Sequence, residues 1–383
     1  TLADIRSGRF QVLSVDPAVF DDPLVIPVVI LYAGIGGMSL GIVNCLDDSP
    51  FTYVTAVAVE SEGEVQAAHQ LTHPEIPCMR YLLSDTNDSL RILDQFLPQR
   101  LWPRAWVHSS PSCRLASSVN SHRDLSKATE NTQWAVQLMQ KMNPACWTLE
   151  QAPTLFEEFE GTQAFVSNMK FSSFCALAQD RTRLIVSNQR LQFSWYHHAL
   201  PTARDRLARR WRWPTDPLSS SHRMQNSYHN ERSVDGPAFA VTSGTHLAGA
   251  LDGEEWEARH QLDWIDRALL QGIDEPEEVL RFLSSANERH KRKMVANMVP
   301  PPFARALQEA VDRTLRNALR VGQRMEHAAE AVEASMGSDP PSPLPEGDRL
   351  ARGTTELGVM KPRSSPPRSV RFHSTKPPNI TGG

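Results

Sequence analysis

The hydrophobic pattern of the chain is strongest at Val25–Leu31, where apolar, mostly β-branched residues follow one another without a polar break. Such a run predicts a strand buried on both faces, as in a parallel sheet. Residues 32–37 form a glycine-rich turn, after which apolar residues recur at helical spacing. Strand, turn and helix together favour a ligand cradle, because glycines let the backbone approach a ligand and the helix N-terminus offers free N–H groups. A tight turn without a ligand is the alternative.

Two further strands are predicted, and each ends at a carboxylate. Residues 53–59 are followed by Glu60, and residues 81–84 are followed by Asp85. An acidic residue at the end of the second strand is where dinucleotide-binding folds hold ribose hydroxyls. For Glu60 a solvated acid at a strand end is the alternative.

A cysteine follows the next predicted strand, residues 101–107. Residues 109–112 form a polar turn with Cys113 at its tip. Open α/β sheets place reacting groups on turns just beyond a strand, so Cys113 is a candidate nucleophile. A small buried hydrophobic role is the alternative for any lone cysteine. The Ser-rich segment that continues to about Lys127 has the composition of a mobile lid.

The next apolar segments predict a helix at residues 129–142 and a strand at residues 146–149 that ends at Glu150. Arg181 and Arg183 precede a strand at residues 184–187. Side chains at i and i+2 of an extended segment project to the same face, so the two guanidinium groups are expected side by side. A solvated strand edge is the alternative.

The character of the chain changes at about residue 193, where arginines are interleaved with aromatic residues. This composition suits phosphate contacts combined with base stacking, and a solvated arginine-rich helix is the alternative. The candidate nucleic-acid contacts are Arg204, Arg209, Arg210 and Arg212. Helical patterns resume after residue 258, and the Pro-, Ser- and Gly-rich segment after about Met336 is typical of a disordered basic tail.

Composition narrows the protein class. A net charge of −4 gives no global attraction to nucleic acid, so such a site must be a local patch. The five cysteines include no CxxC pair, which argues against a disulfide framework or a zinc cluster. The longest apolar run is too short to span a bilayer, so no membrane partner is expected. Because the chain starts at Thr1 without Met, we expect a fragment or a processed product.

Taken in order, these segments resemble the motifs of the cytosine-5 DNA methyltransferases, which use S-adenosylmethionine. The resemblance covers about residues 25–316. The matching segments are residues 33–37 (Ala-Gly-Ile-Gly-Gly), Glu60, Asp85, residues 110–114 (Ser-Pro-Ser-Cys-Arg), residues 150–152 (Glu-Gln-Ala), residues 179–183 (Gln-Asp-Arg-Thr-Arg), residues 237–242, residues 267–273 and residues 297–306. Each motif is weak by itself, whereas the ordered set is specific.

The resemblance implies an α/β fold of the Rossmann-like class I methyltransferase type. Its mainly parallel sheet would carry helices on both faces and a small target-recognition lobe. The implied organisation is a lead-in (1–24), a catalytic and cofactor-binding domain (25–192), a reduced target-recognition region (193–236), the C-terminal part of the catalytic domain (237–320) and a disordered basic tail (336–383). The helix predicted at residues 302–319 should pack on the cofactor half.

The resemblance also implies the activity and the residues that perform it. The enzyme would transfer a methyl group from S-adenosylmethionine to C5 of a flipped cytosine in DNA through a covalent cysteine adduct. The implied catalytic residues are Cys113, Glu150, Arg181 and Arg183. The implied cofactor contacts are Tyr32, Gly34, Gly36, Gly37, Glu60, Asp85 and Asn297, and no metal is implied. We expect a monomer that acts on DNA or RNA, in the nucleus of a eukaryote or in the cytoplasm otherwise.

Several positions depart from the motifs. Ile30 stands where the first motif begins with Asp, Ser112 replaces the proline before the cysteine, and Arg114 replaces Gln. Gln151 and Ala152 replace the Asn and Val that follow the catalytic glutamate. Two alternatives therefore stay open. One is a tRNA cytosine-5 methyltransferase, which the short recognition region suits, although a Cys-Phe-Thr signature is absent. The other is a non-catalytic nucleic-acid-binding relative.

Overall fold

The computed structural model describes residues 15–116, 123–159, 164–208, 210, 223–225, 231–233, 235, 237–241, 248–250 and 260–336. Contacts divide the chain into two units, Thr1–His327 and Ala328–Gly383, and the sheets, the cores and the candidate site all belong to the first unit. Several sequence predictions lie outside the described residues. They are the lead-in before residue 15, the centre of the Ser-rich segment (117–122), Arg209, Arg212 and the tail after Met336.

A seven-stranded sheet forms the centre of the described part of the chain. Its strands are β1 (Val25–Leu31), β2 (Thr52–Glu60), β3 (Cys78–Arg80), β4 (Trp106–Ser109), β5 (Cys146–Gln151), β6 (Phe165–Lys170) and β8 (Thr182–Ser187). Their order is β3-β2-β1-β4-β5-β8-β6. The pairs among the first five strands are parallel, whereas β8 runs antiparallel to β5 and β6. The predicted mainly parallel sheet is confirmed.

The central strand β1 is buried along its whole length, as its apolar run predicts. Pro27 lies inside it and has no N–H for the ladder. The pairing of β1 with β2 shifts register between Val28 and Val29, directly after this proline. The irregularity lets a central strand accommodate proline, and β1 still ends at the glycine-rich turn.

Helices cover both faces of the sheet, as predicted. The α-helices are α1 (Gly37–Gly41), α2 (Gly63–Thr72), α3 (Thr86–Asp94), α4 (Leu125–Met142), α5 (Ala203–Leu207), α6 (Trp264–Leu270), α7 (Pro276–Val279), α8 (Glu288–Asn297) and α9 (Pro301–Met336). Short 3-10 turns occupy Pro17–Asp21, Gln99–Arg104, Cys113–Leu115, Pro153–Leu155, Glu157–Phe159, Phe171–Ser173 and Arg281–Ser285. One core joins Leu31 to Leu93 of α3 and Leu138 of α4. A second core on the opposite side joins Ile30 to Phe303 of α9.

The remaining strands form two smaller sheets. Their strands are β7 (Gln179–Asp180), β9 (Arg223–Gln225), β10 (Glu231–Ser233), β11 (Ala238–Phe239), β12 (Ala248–Ala250) and β13 (His260–Gln261). One sheet has four strands in the order β10-β9-β12-β13, and in the other β7 pairs with β11. In the four-stranded sheet, β12 and β13 follow residue 236, where the sequence analysis places the end of the target-recognition region. The domain boundaries themselves stay predictions.

Several element boundaries differ from the sequence prediction, including the starts of α4 at Leu125 and of β8 at Thr182. The third strand is Cys78–Arg80 rather than residues 81–84. Residues 81–84 form an irregular segment that leads to Asp85, the residue that caps α3. Residues 101–104 belong to a 3-10 turn that contains Pro103, so β4 starts only at Trp106. The last helix continues to Met336 rather than ending at residue 319.

Neither a membrane-spanning helix nor a metal-binding cluster occurs among the described residues. No helix in this part of the chain is both long and apolar enough for a membrane crossing. No group of three or more His, Cys, Asp or Glu side chains in the same residues is placed to hold a metal ion.

Candidate active site

The predicted nucleophile lies just beyond the carboxyl end of β4. Cys113 begins the 3-10 turn Cys113–Leu115 and is half-buried, with its side chain packed against the first core. The turn is closed by a hydrogen bond from the Ala116 N–H to the Cys113 carbonyl, 3.1 Å long. A thiol that is partly exposed at the edge of a parallel sheet is accessible to a ligand bound there.

Glu150 lies on β5, the strand next to β4, and its side chain is almost completely buried. Arg183 Nε lies 2.9 Å from Glu150 Oε1, and Arg181 Nη2 lies 3.8 Å from the same atom. The shorter contact is an ion pair without hydrogen-bond geometry, since Glu150 Oε1 and Arg183 Nε both lack a hydrogen-bond partner in the described structure. A buried carboxylate oxygen therefore keeps its capacity to accept a hydrogen bond from a ligand.

Arg181 interacts electrostatically with both this carboxylate and Cys113. Its guanidinium is fully buried, donates to the Ala296 carbonyl at 3.3 Å and lies over the ring of Phe171. Burial and the neighbouring Arg183 lower the pKa of Arg181 to about 10, while the charges of Glu150 and Cys113 act in the opposite direction. Arg181 is still cationic at neutral pH. The structure thus places a positive charge close to both Cys113 and Glu150.

The glycine-rich turn after β1 has three residues with positive φ angles. Gly34 and Gly36 adopt positive φ angles of 58° and 95°, and Tyr32 has a φ of 58°. The Gly34 N–H donates to Glu60 Oε2 at 3.0 Å. A Cβ built on Gly34 would meet nothing within 4 Å, so this turn borders open space. Burial and then the charge of Glu60 raise the pKa of the Tyr32 hydroxyl to about 12.

Among the other predicted cofactor residues, Gly37 contacts the segment that follows Asn297, whereas Asp85 caps a helix. A Cβ on Gly37 would lie 2.0 Å from Met298 Cγ, so α1 packs directly on the segment after Asn297. Asn297 is exposed at the end of α8. Asp85, also exposed, caps α3 by accepting from the Asp88 N–H at 2.8 Å. The fold therefore brings the segment that follows Asn297 to the end of the glycine-rich turn across more than 250 residues of sequence.

Two buried histidines support the glycine-rich turn, and the sequence analysis missed both. The His73 ring shares a 3.1 Å hydrogen bond with the Gly36 carbonyl, and the His69 ring shares one of 2.9 Å with the Ser39 hydroxyl. A Cβ on Gly36 would lie 2.6 Å from the His73 ring. The i, i+4 spacing of the histidines at the end of α2 was the available signal.

A buried glutamine pair joins the site to the C-terminal helices. Gln179 Nε2 donates to Gln271 Oε1 at 2.7 Å and to the Leu270 carbonyl at 3.1 Å. Gln179 Oε1 accepts from the Val241 N–H at 3.1 Å, and Gln271 donates to the Val295 carbonyl at 3.0 Å. These contacts connect three of the motif segments that lie far apart along the chain.

Two of the predicted nucleic-acid contacts are engaged within the protein. Arg204 Nε lies 2.6 Å from Asp235 Oδ1. Arg210 binds both oxygens of Asp263 at 2.7 and 2.9 Å and one oxygen of Asp266 at 2.8 Å. A phosphate would have to compete with these carboxylates, so the role of both arginines in nucleic-acid binding stays a prediction.

Solved structures similar to this chain are methyltransferases. A protein named as a DNA modification methyltransferase, encoded within a prophage of E. coli, has a TM-score of 0.52 and 14% identity over 76% of this chain and 99% of its own. The Entamoeba histolytica methyltransferase EhMeth has a TM-score of 0.52 and 12% identity over 76% and 98% of the two chains. The S. pombe Dnmt2 methyltransferase has a TM-score of 0.47 and 15% identity over 74% and 96%.

No protein-family profile and no curated protein matches the sequence. At such low identities the structural likeness shows the fold alone. The chain has the Rossmann-like fold of these methyltransferases, which confirms the predicted fold class.

Proposed function

We propose that this protein is a methyltransferase that transfers a methyl group to C5 of a flipped cytosine in nucleic acid, with DNA as the preferred substrate. The convergence of Cys113, Glu150 and Arg181 at the carboxyl edge of the sheet carries the proposal. These residues lie on three separate segments, and Glu150 keeps a buried oxygen without a hydrogen-bond partner in the described structure. That oxygen suits a ligand that donates a hydrogen bond.

Each of these residues has a role in cytosine chemistry. The Cys113 thiolate would add to C6 of the ring, forming an S–C6 bond and turning C5 into a nucleophile. Glu150 would hold a proton at N3 and accept from the N4 amino group, which selects cytosine. After C5 is methylated, a base removes the C5 proton, and the electron pair of that C–H bond forms the C5–C6 double bond as the thiolate leaves.

The residues around the glycine-rich turn fit S-adenosylmethionine. When bound, this cofactor would supply the methyl group. Gly34 borders open space, and Glu60 lies beside it with a carboxylate that can also hold ribose hydroxyls. Asp85 and Asn297 are exposed and would contact the adenine and the rest of the cofactor.

A cytosine inside a duplex is inaccessible to Cys113, so the base must be flipped out, at a cost of a few kcal/mol. The neighbour named as a DNA modification methyltransferase favours DNA over RNA as the substrate. Arg204 and Arg210 form ion pairs with carboxylates of the protein, so the residues that contact the phosphates have to be located by experiment.

Covalent trapping tests the proposal. The full chain is incubated with S-adenosylmethionine and with duplex DNA or tRNA containing 5-fluorocytosine, whose fluorine cannot be eliminated. We expect a stable adduct with DNA that Cys113→Ala abolishes while cofactor binding is retained. Cys45→Ala is the matched control, because Cys45 is an exposed free cysteine on another part of the fold, and this variant should form the adduct normally.

The other outcomes separate the alternatives. An adduct with tRNA only would identify an RNA methyltransferase. No adduct with either substrate, in a protein that binds the cofactor, would support a non-catalytic relative. An adduct that persists in Cys113→Ala would refute the assignment of the nucleophile.

A further inference from the structure

The turn that presents Cys113 has little intrinsic rigidity. Pro111 fixes one φ angle, whereas Ser112 leaves free a torsion that a proline would fix. Both residues lie between the end of β4 and the 3-10 turn that begins at Cys113. Interactions with the rest of the protein must therefore determine where this turn places the thiol.

The first such interaction comes from β4 itself. The His108 ring shares a 2.6 Å hydrogen bond with the Ser110 hydroxyl through Nε2 and one of 2.9 Å with the Thr148 hydroxyl through Nδ1. Trp106 Nε1 donates to the same Thr148 oxygen at 3.0 Å. His108 pairs with Thr148 in the register of β4 and β5, and Trp106, His108 and Thr148 are completely buried. The Ser110 side chain is thereby held from inside the sheet.

The second interaction comes from the residue after the catalytic carboxylate. Gln151 Nε2 lies 3.3 Å from both the Pro111 carbonyl and the Thr132 hydroxyl, and donates to both. Its Oε1 accepts from the Ala152 N–H at 2.8 Å. Gln151 is buried, so losing its amide would remove the hydrogen bonds described for the Pro111 carbonyl and the Ala152 N–H, whereas the Thr132 hydroxyl still donates to the Ala128 carbonyl. One side chain thus connects the cysteine turn to the strand end that carries Glu150.

We propose that His108 and Gln151 are positioning residues that hold the turn at Ser110 and Pro111 and so fix the Cys113 thiol relative to Glu150. This inference rests on the proposed function. It assigns a role to Gln151, which departs from the motif that the sequence resembles, and to His108, which belongs to none of the motifs. A displacement of about 1 Å in a reacting group can cost about 10²-fold in rate.

A matched control separates positioning from general stability. Gln308 of α9 is as buried as Gln151, and its side chain also bonds backbone groups, namely the carbonyl and N–H of Val43. Gln308→Met and Gln151→Met therefore remove similar hydrogen bonds from similar environments. Ser110→Ala removes the His108 contact at a half-buried position, where folding is expected to tolerate the change.

The test compares full-length variants by melting temperature, S-adenosylmethionine affinity, kcat and KM on DNA. We expect Gln151→Met and Gln308→Met to lower the melting temperature by similar amounts. Only Gln151→Met should lower kcat by about 10²-fold, the cost of a misplaced reacting group, with cofactor affinity retained. Ser110→Ala should also lower kcat, and Gln151→Asn, which keeps the amide, should restore part of the loss. Equal kcat values in Gln151→Met and Gln308→Met would overturn the proposal.

A thiol-labelling measurement does not depend on catalysis. In a Cys45→Ala background, the remaining cysteines besides Cys113 are buried, so a neutral maleimide reports on Cys113. We expect labelling of Cys113 to be about tenfold faster in Gln151→Met, the factor that corresponds to one lost hydrogen bond, and unchanged in Gln308→Met. If the enzyme proves inactive, faster labelling in Gln151→Met alone still supports a positioning role for Gln151. Equal labelling rates in the two variants would overturn that role.

Discussion

The interior histidines make the stability of the fold sensitive to acid. His69 and His108 are completely buried; His69 lies against the glycine-rich turn, and His108 bonds Ser110 in the turn that leads to Cys113. Burial lowers the pKa of each imidazole from 6.5 to about 3, and the neighbouring His73 adds to the effect on His69. Both rings therefore stay neutral in the folded protein, whereas the unfolded chain binds a proton at each below pH 6.5.

The magnitude of the effect is set by this difference in proton binding. Between pH 6.5 and pH 3 the unfolded state gains one proton per histidine and the folded state gains none, so the free energy of unfolding falls as the pH falls. The slope is about 1.4 kcal/mol per pH unit for each group. From pH 7 to pH 5 each histidine accounts for about 2 kcal/mol, and the pair for about 4 kcal/mol. This is a large part of the roughly 5–15 kcal/mol that is typical of total stability.

Urea unfolding at pH 7, 6 and 5, followed by tryptophan fluorescence, measures this loss. Carboxyl groups titrate over the same range, so the informative quantity is the difference between the wild type and each variant. His69→Gln and His108→Gln should each remove about 2 kcal/mol of the loss between pH 7 and pH 5. His197→Gln is the control, because His197 is exposed, and it should keep the wild-type pH dependence.

An unchanged pH dependence in the two histidine variants would refute this assignment of charge. If His69→Gln and His108→Gln lose stability between pH 7 and pH 5 as steeply as His197→Gln, the two imidazoles are protonated in the folded protein. The buried hydrogen bonds described for Ser39 and Ser110 would then have a different proton arrangement.

Three other substitutions test the packing of the site. Gly37→Ala would place a Cβ 2.0 Å from Met298 Cγ, so the free energy of unfolding measured in urea should fall by about 1–3 kcal/mol. Calorimetry should show a weaker affinity for S-adenosylmethionine. Wild-type values in both measurements would contradict this packing. Arg183→Met removes the 2.9 Å partner of Glu150 but keeps Arg181 at 3.8 Å, so the free energy of unfolding should fall by less than the roughly 3–5 kcal/mol typical of a buried charge left unpaired. Arg210→Ala should lower the free energy of unfolding by about 1–3 kcal/mol, because it removes a hydrogen bond to the buried Asp266 carboxylate. It should leave the salt dependence of DNA binding unchanged, since carboxylates already engage this side chain, and a salt slope reduced by about one would instead show a phosphate contact.

The sequence by itself was sufficient for the elements whose signal is local. The apolar run of β1 and the glycines that follow it predict a buried parallel strand and a tight turn, because burial and steric freedom act within a few residues. The order of the motifs was also enough for the fold class, which the solved structures confirm. Boundaries were less accurate where a cap or a proline decided them, as at Asp85 and Pro103.

Contacts between distant segments were decided only by the tertiary structure. The register of β4 with β5 places His108 beside Thr148, and that of β5 with β8 brings Glu150 within reach of Arg183. Local periodicity cannot reveal such partners, because a strand register is set by packing across the whole sheet. The carboxylates opposite Arg210 belong to a helix more than 50 residues away, so its engagement in an ion pair could not be read from composition. The candidate residues could therefore be named one by one from the sequence, whereas their geometry and their supporting contacts depended on the fold.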